Sequence, residues 1–543
     1  MPEVATHTLK ENHNDICQSF DCTIAIPPTD QQIDQAFPSP ALVLAHSIGR
    51  MGIHHEHSMV SEKGRAPIEL LPVEIFDQII PQLAIDVPTN GYSPRNKDLA
   101  SCLLVSRTFY IATLSTLYSK VAFPHSSIFS KFLAQISKYP ELGHLVKRLD
   151  FSHFTSVGFG RTKRMTDEIQ KLTATTLRNC LDITPNLREF LASESMDEDL
   201  DERVLEKLFC ELPRLNAVDF CAATAPCFKK GVLSVISPNN PRLPMALPIR
   251  RLGMHGCNTL PSPVYATLLP RLPNLTHLDL THTQITDETL HAIPHTAKLT
   301  HLSLSKCNRL TGPAVVDFLI NHPATQDLVY LNLLFDTGRY RLLSTADVDV
   351  LLPFLPTTLR SLNLSGAKIT RDHVPELRRL SKHLEELSIG YADLSITDLN
   401  LIVEQDGPHQ DGAKSNLHYL DLTGISSVNP TTLVDTNKCQ LLMPSSFPLQ
   451  VLELNEKVTD GLKERRISAK KLGWTVKSQH RRAWYVRAGP GTVPGSEKIA
   501  KPLAEETGSR SWKMGGTKWG GRKVGVGYGE VSGLYGYYLY GYQ

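Results

Sequence analysis

Residues 272–319 read LPNLTHLDLTHTQITDETLHAIPHTAKLTHLSLSKCNRLTGPAVVDFL. Within this stretch Leu275, Leu278, Leu280 and Ile285 recur as Leu299, Leu302, Leu304 and Leu310, so one pattern, L-x-x-L-x-L followed by an apolar residue, is written twice. The frame returns at Leu328/Leu331/Leu333, Leu359/Leu362/Leu364, Leu384/Leu387/Ile389, Leu417/Leu420/Leu422 and Leu449/Leu452/Leu454. Self-similarity at a period of about 20 to 50 residues marks stacked supersecondary units, each unable to bury its apolar face alone. The fold this predicts is an α/β solenoid.

Working upstream, Val146-x-x-Leu149-x-Phe151, Leu187-x-x-Phe190, Leu215-x-x-Val218-x-Phe220 and Ile249-x-x-Leu252-x-Met254 keep the frame with other apolar residues, so the array begins early. Between them TATTLRNCLDITPN and DERVLEKLFCELPR have helical spacing and end in Pro, which pairs each strand with a helix. The run SESMDEDLDE reads as a solvated acidic face. In the regular part, helix-start signals follow the strands at Thr286-Asp287-Glu288, Thr311, Ser344-Thr345-x-Asp347, Thr370-x-Asp372 and Thr397-Asp398. Strands inside and helices outside bend such a stack into a horseshoe, with the solenoid spanning residues 124–458.

Strand alternation sends two rows of side chains away from the core. One row is His277, His301, Tyr330, Ser361, Glu386 and Tyr419; the next is Asp279, Ser303, Asn332, Asn363, Ser388 and Asp421. These rows are expected to face solvent on the concave side. From them His277, Asp279, His301, Tyr330, Asn332, Asn363, Glu386, Tyr419 and Asp421 are the candidate contacts for a protein client, although a polar row is also simply what a wet strand face shows. Tyr330 and Tyr419 lead because aromatic anchors dominate interface energetics. His277 and His301 lack the third ligand that a metal site needs.

Residues 67–83, PIELLPVEIFDQIIPQL, carry Leu71, Ile75, Ile79 and Leu83 four apart, one stripe of a helix opening near Pro72 and limited by Pro81. Asp98 is expected to cap a second apolar stretch, DLASCLLVSRTFYIATLSTLYSKV, long enough for two further helices. Residues 67–123 thus form a small three-helix unit, with apolar surface left for a partner or for capping the solenoid.

Two resemblances follow from these residues. Leu71-Pro72-x-Glu74-Ile75-Phe76, then Ile79 and Leu83, then Asp98-Leu99 and Leu103-Leu104-Val105-Ser106-Arg107-x-Phe109 resemble the F-box, which binds the Skp-type adaptor of SCF ubiquitin ligases. The loop from Ala84 to Lys97 is longer than is usual for that family, and Phe109 stands where the family often has Trp. The repeats resemble leucine-rich repeats, and LSLSKCNRLTGPAVVDFL resembles the cysteine-containing subtype often found behind an F-box. The resemblance implies a non-catalytic substrate receptor of a cullin-RING ubiquitin ligase. Leu71, Pro72, Ile75, Ile79, Leu83, Leu99, Leu103 and Val105 would hold the adaptor, and through it a cullin, while the repeats hold the client. The alternative is a leucine-rich-repeat scaffold that never meets a ligase.

The remaining sequence narrows the class. At 543 residues the chain exceeds one growing core, and net charge +2 with 41% hydrophobic residues fits neither a disordered chain nor a nucleic-acid binder as a whole. From residue 461 onward, however, 16 Lys/Arg face 5 Asp/Glu. Residues 459–488 read as a cap ending in a hairpin, and 489–543 as a disordered basic Gly/Tyr-rich tail, with single-strand nucleic-acid binding the weaker reading. Residues 1–66 read as a flexible arm in which His54, His55 and His57 are solvated. The opening residues lack a signal-peptide pattern, and no apolar run is long enough to span a bilayer, so residence in cytoplasm, nucleus or both is expected. There is no C-x-x-C pair, phosphate-cradling loop or nucleophile elbow, so no cofactor, metal or catalysis is expected. Cys180, Cys210, Cys257 and Cys307 read as small buried hydrophobes.

Overall fold

The computed structural model describes residues 66–83, 96–123, 126–151, 154, 172–335, 341–404, 414–464, 473–479 and 482–487. The expected N-terminal arm with its histidines, nearly all of the 84–97 loop and the Gly/Tyr-rich tail lie outside these residues. The chain divides into two compact units, residues 1–117 and 118–543.

In the first unit, α1 (Val73–Leu83), α2 (Asn96–Cys102) and α3 (Arg107–Ser119) follow a single 3-10 turn at Pro67–Leu70. Its core is Phe76, Ile80, Leu99 and Ala112, with Phe109 and Leu117 packed against it. Phe76 and Phe109 meet edge to face, centroids 5.2 Å apart. Two boundary expectations are corrected. Pro81 does not end α1, because in the last turn it forfeits only the bond its own nitrogen would make. Asp98 does not cap α2, which already starts at Asn96.

In the second unit, twelve short strands run parallel in chain order: β1 (Lys120–Ala122), β2 (Arg148–Asp150), β3 (Glu189–Leu191), β4 (Ala217–Asp219), β5 (Arg251–Gly253), β6 (His277–Asp279), β7 (His301–Ser303), β8 (Tyr330–Asn332), β9 (Ser361–Asn363), β10 (Glu386–Ser388), β11 (Tyr419–Asp421) and β12 (Val451–Leu454). The hairpin β13 (Trp474–Gln479) and β14 (Arg482–Arg487) adds antiparallel to β12. This is an α/β solenoid. β1 belongs to the sheet, with Val121 opposite Leu149, so the array starts inside the stretch first assigned to the helical unit.

Register fixes the core. The middle residues Leu278, Leu302, Leu331, Leu362, Leu387 and Leu420 lie opposite one another and are fully buried on the helix side. Helices such as Gly312–Asn321 and Val374–Ser381 close that side, burying Val315, Phe318, Leu377 and Leu380. Their starts are held by caps. The Ser344 and Asp347 backbone amides and side chains bond reciprocally, as do those of Ser395 and Asp398, so the true cap of Ile396–Val403 is Ser395 and Asp398 sits three residues in.

Four repeats leave their strand by a turn that a side chain holds. Asp279, Asn332, Asn363 and Asp421 accept the backbone N–H two residues on, from Thr281, Leu334, Ser365 and Thr423, at 2.8–3.1 Å. After Thr281, Ser365 and Thr423 the next residue takes positive φ, His282 at 55°, Gly366 at 89° and Gly424 at 76°, as do Lys306 at 57° and Tyr391 at 63° at the same place after β7 and β10. Its N–H then reaches across to the following repeat, as from His282 to the Ser305 carbonyl and from Lys306 to the Leu334 carbonyl. Cys257 and Cys307 sit just beyond and donate back to the Phe220 and Leu280 carbonyls. Burial raises both thiols, Cys307 to about 11. Cys180 is likewise buried, whereas Cys210 is partly exposed.

The acidic run is not merely solvated. Asp197 accepts the N–H groups of Thr224 and Ala225 at the start of the helix Pro226–Val235, and Asp201 caps the helix Glu202–Glu206 through Val204 N–H.

Candidate functional site

The helical unit has two apolar surfaces. On α1 Phe76 and Ile80 turn inward while Ile75 and Ile79 are left 37% and 39% exposed, and just before the helix Leu71 is 38% exposed, with Pro72 also exposed. The turn before α3 adds Leu104 at 65% and Val105 at 62%. Ile68 and Leu70 extend the same character N-terminally. Water-facing aliphatic side chains at this density on a unit of this size make this the candidate docking surface of the unit. Of the residues expected to hold an adaptor, Leu71, Pro72, Ile75, Ile79 and Val105 are exposed. Leu99 and Leu103 are not: they are buried, because the chain reverses at 103–105 and turns Leu103 inward while Leu104 swings out. The side chain of Leu83 lies outside the described residues. The sequence pattern missed Leu104, whose signal was its place beside Val105 in an apolar run interrupted by Ser106.

The inner rows of the sheet differ from expectation. Asp279, Asn332, Asn363, Glu386, Tyr419, Asp421 and Tyr330 are buried rather than solvent-facing. For Asp279, Asn332, Asn363 and Asp421 the cause is the turn they hold, which folds the following backbone over the carboxylate or amide. Neighbouring strands add side-chain bonds: Ser361 donates to Glu386 at 3.0 Å, Ser388 to Asp421 at 2.7 Å, and the Tyr419 hydroxyl to Glu453. A short Asp or Asn side chain at the third strand position is what such a backbone-bonding turn requires, but alternation alone does not show that the turn covers it.

His277 and His301 are partly exposed and stack face to face, centroids 4.2 Å apart and 7° from parallel, and Tyr330 continues the stack at 5.8 Å. Burial and then the Arg251 guanidinium hold the His301 imidazole down to about 3, while burial, His301 and Arg251 lower His277 further. Both rings therefore stay neutral through the physiological range and do not sense pH there. On the N-terminal side Glu189 is gripped by Arg148 and by Arg251, the latter at 2.6 Å. Burial opposes its ionisation, but the two guanidiniums prevail and its carboxyl is lowered. Among the described residues no group of three or more His, Cys, Asp or Glu could hold a metal ion.

Comparison with known proteins agrees with this geometry. The COS11 F-box domain family model matches residues 68–157, and a leucine-rich repeat model matches residues 271–293. The first match runs past the helices into β2, beyond the boundary read from the sequence. F-box protein YLR352W of Saccharomyces cerevisiae is 29% identical over 442 residues, covering 71% of this chain and 53% of that protein, so the chain spans about half the length of this relative. Among solved structures, the yeast Rad7 and Elc1 complex aligns at TM-score 0.39 and 16% identity, covering 66% of this chain and 89% of that one. The leucine-rich-repeat protein LegL7 of Legionella pneumophila aligns at 0.29 and 15%, covering 63% and 82%. These matches place an F-box domain at residues 68–157 and a leucine-rich repeat at residues 271–293, in the order in which the fold sets the helical unit before the repeats.

Proposed function

We propose that the chain is a non-catalytic substrate receptor of an SCF-type ubiquitin ligase, acting in the cytoplasm or nucleus. α1 and the Leu104–Val105 turn dock a Skp-type adaptor and, through it, a cullin, while the repeats present a protein client. The contribution is proximity: client and ubiquitin-charged enzyme are held together so that transfer becomes effectively intramolecular. The observation that carries this reading is the exposed Ile75 and Ile79 on α1, with Leu71 just before it, while another face of the helix, Phe76 and Ile80, already supplies the unit's own core. A helix serving only as a cap needs one apolar face.

The test is co-purification with a Skp-type adaptor. Ile75→Asp and Val105→Asp are each expected to reduce adaptor capture at least tenfold while leaving the thermal midpoint unchanged, because both side chains already face water. Undiminished capture, or no capture by the wild-type chain, overturns the proposal and leaves a repeat scaffold.

A further inference from the structure

The strands differ in the residues that open them. At the last position before each strand and the first within it, β1 to β5 carry Lys120, Lys147, Arg148, Arg188, Arg250 and Arg251, with Glu189 the one carboxylate. The same two positions of β6 to β12 hold Arg360 as their single Lys or Arg, with Glu385 and Glu386 on the next strand. Positive charge is thus gathered at one edge of the first five strands.

Register draws these cations together. Lys147, Arg188, Asn216 and Arg250 follow one another across the sheet, each after the first donating its N–H to the carbonyl of its predecessor at 2.7–2.8 Å. Along this row Arg188 stands about 5 Å from Lys147 and about 10 Å from Arg250, given a strand spacing of ~4.8 Å. Behind it Arg251 reaches over the small Ala217 of β4 to Glu189 of β3, which Arg148 holds from the other side. One carboxylate therefore answers two guanidiniums. Lys147, Arg188 and Arg250 are exposed and enter no ion pair among the described residues. Cations gathered this closely repel one another until an anion lies among them.

Two features favour an acidic polypeptide over a nucleic acid. The anion already seated here, Glu189, is a carboxylate held by guanidiniums. The first and third positions of β1 to β5 supply no aromatic ring, so bases would find no platform to stack on. Asp150 and Asp219, at third positions, confine an acidic ligand to the strand-entry edge. From Lys147 to Arg250 the row covers three strand spacings, about 14 Å, which about five extended residues cross with every second side chain on the same side.

We propose that the strand-entry edge of β2–β5, at Lys147, Arg188, Arg250 and Arg251, binds an extended acidic segment of a protein partner, with Asp or Glu at alternate positions. The inference rests on the proposed receptor role only in calling that partner the client.

The test uses the full-length chain and a fluorescein-labelled peptide of alternating Glu and Ser, about ten residues long. Saturable binding that weakens as salt rises is expected of the wild type. Lys147→Glu/Arg188→Glu/Arg250→Glu should weaken it at least tenfold, and Lys147→Ala/Arg188→Ala/Arg250→Ala severalfold, with melting midpoints unchanged because these side chains face water. Should the charge-reversed chain fail to melt cooperatively, the alanine variant decides. Lys229→Glu/Lys230→Glu/Arg309→Glu makes the same change in net charge at exposed positions away from this edge and should leave binding intact. Absence of binding by the wild type, or equal weakening by this last variant, overturns the proposal. So does tighter binding of an oligothymidylate of equal charge, which would make the edge a nucleic-acid interface. Adaptor capture is scored on the same preparations and should survive all three variants. A wild type that binds the peptide but captures no adaptor would remove the ligase and keep the acidic-segment site.

Discussion

Asp421 shows how a side chain that looks like a ligand contact serves the fold. Its carboxylate accepts from Thr423 N–H and the Ser388 hydroxyl, yet burial first and Glu453 second push it up to about 6 from an ordinary 3.8. A folded value above the unfolded one favours the protonated form, so the contribution to stability is full below about pH 4 and is lost as pH rises through about 6. Asp421→Asn keeps an oxygen for Thr423 and should gain on wild type by on the order of 1–3 kcal/mol as pH goes from 4 to 7. Denaturant titration at both values checks this, and a gap that does not change with pH contradicts it. Glycine enters the same turn one residue after the bonded amide. At Gly366, φ is 89° and a Cβ would lie 2.1 Å from the Phe335 carbonyl oxygen, whereas at Gly256, with φ 74°, the nearest atom it would meet is Ala222 Cα at 3.2 Å. Gly366→Ala should therefore cost on the order of 2–4 kcal/mol, and Gly256→Ala clearly less. The leucines of this turn were legible from spacing alone. The role of the Asp and Asn beside them was not, because an alternating pattern says which side of the sheet a residue takes but not whether neighbouring backbone will cover it.

At the scale of elements, α1 and the repeat helices obey different constraints. The repeat helices are short, between seven and ten residues in Thr345–Leu351, Ile396–Val403 and Gly312–Asn321, so their ends weigh heavily on their stability. Ser344→Ala and Ser395→Ala each remove one half of a reciprocal cap and should lower stability by about 1 kcal/mol, read as a shift in denaturation midpoint. The cap at Ser395 eluded the sequence reading because Thr397 and Asp398 imitate the signal two residues later, and only the backbone shows which residue leaves the helix. In α1 the distinction is between faces. Phe76→Ala should cost about 3–5 kcal/mol by emptying the small core, while Ile75→Asp should cost little stability and much binding. The four-residue stripe was visible in the sequence. That Leu103 turns inward and Leu104 outward was not, because a three-residue reversal has no period to read.

Across the whole second unit, contacts run almost wholly between successive repeats, and energy is correspondingly local. Trp474 plugs the last repeat: its indole N–H donates to the Leu442 carbonyl at 2.9 Å, Tyr485 stacks on it at 5.5 Å, and the Arg487 guanidinium covers it at 4.7 Å. Trp474→Ala should cost about 3–5 kcal/mol, yet its loss should be felt mainly nearby, as expected of a quasi-one-dimensional array. Hydrogen exchange checks this directly, since amides of β11 and β12 should lose protection while those of β2 to β5 keep it. Uniform deprotection would mean a single cooperative block. The succession of parallel strands was the most legible feature of the sequence because its repeat is long, simple and copied many times.

The reversal of chain direction at β12 carries a consequence for how such a molecule changes length. A strand running the same way as its predecessor offers the next copy an identical template, whereas beyond β12 the template is taken by the antiparallel β14, with β13 of the same hairpin outside it. A repeat added directly after β12 would have to displace the hairpin, whereas one inserted between existing repeats would keep the parallel register on both sides.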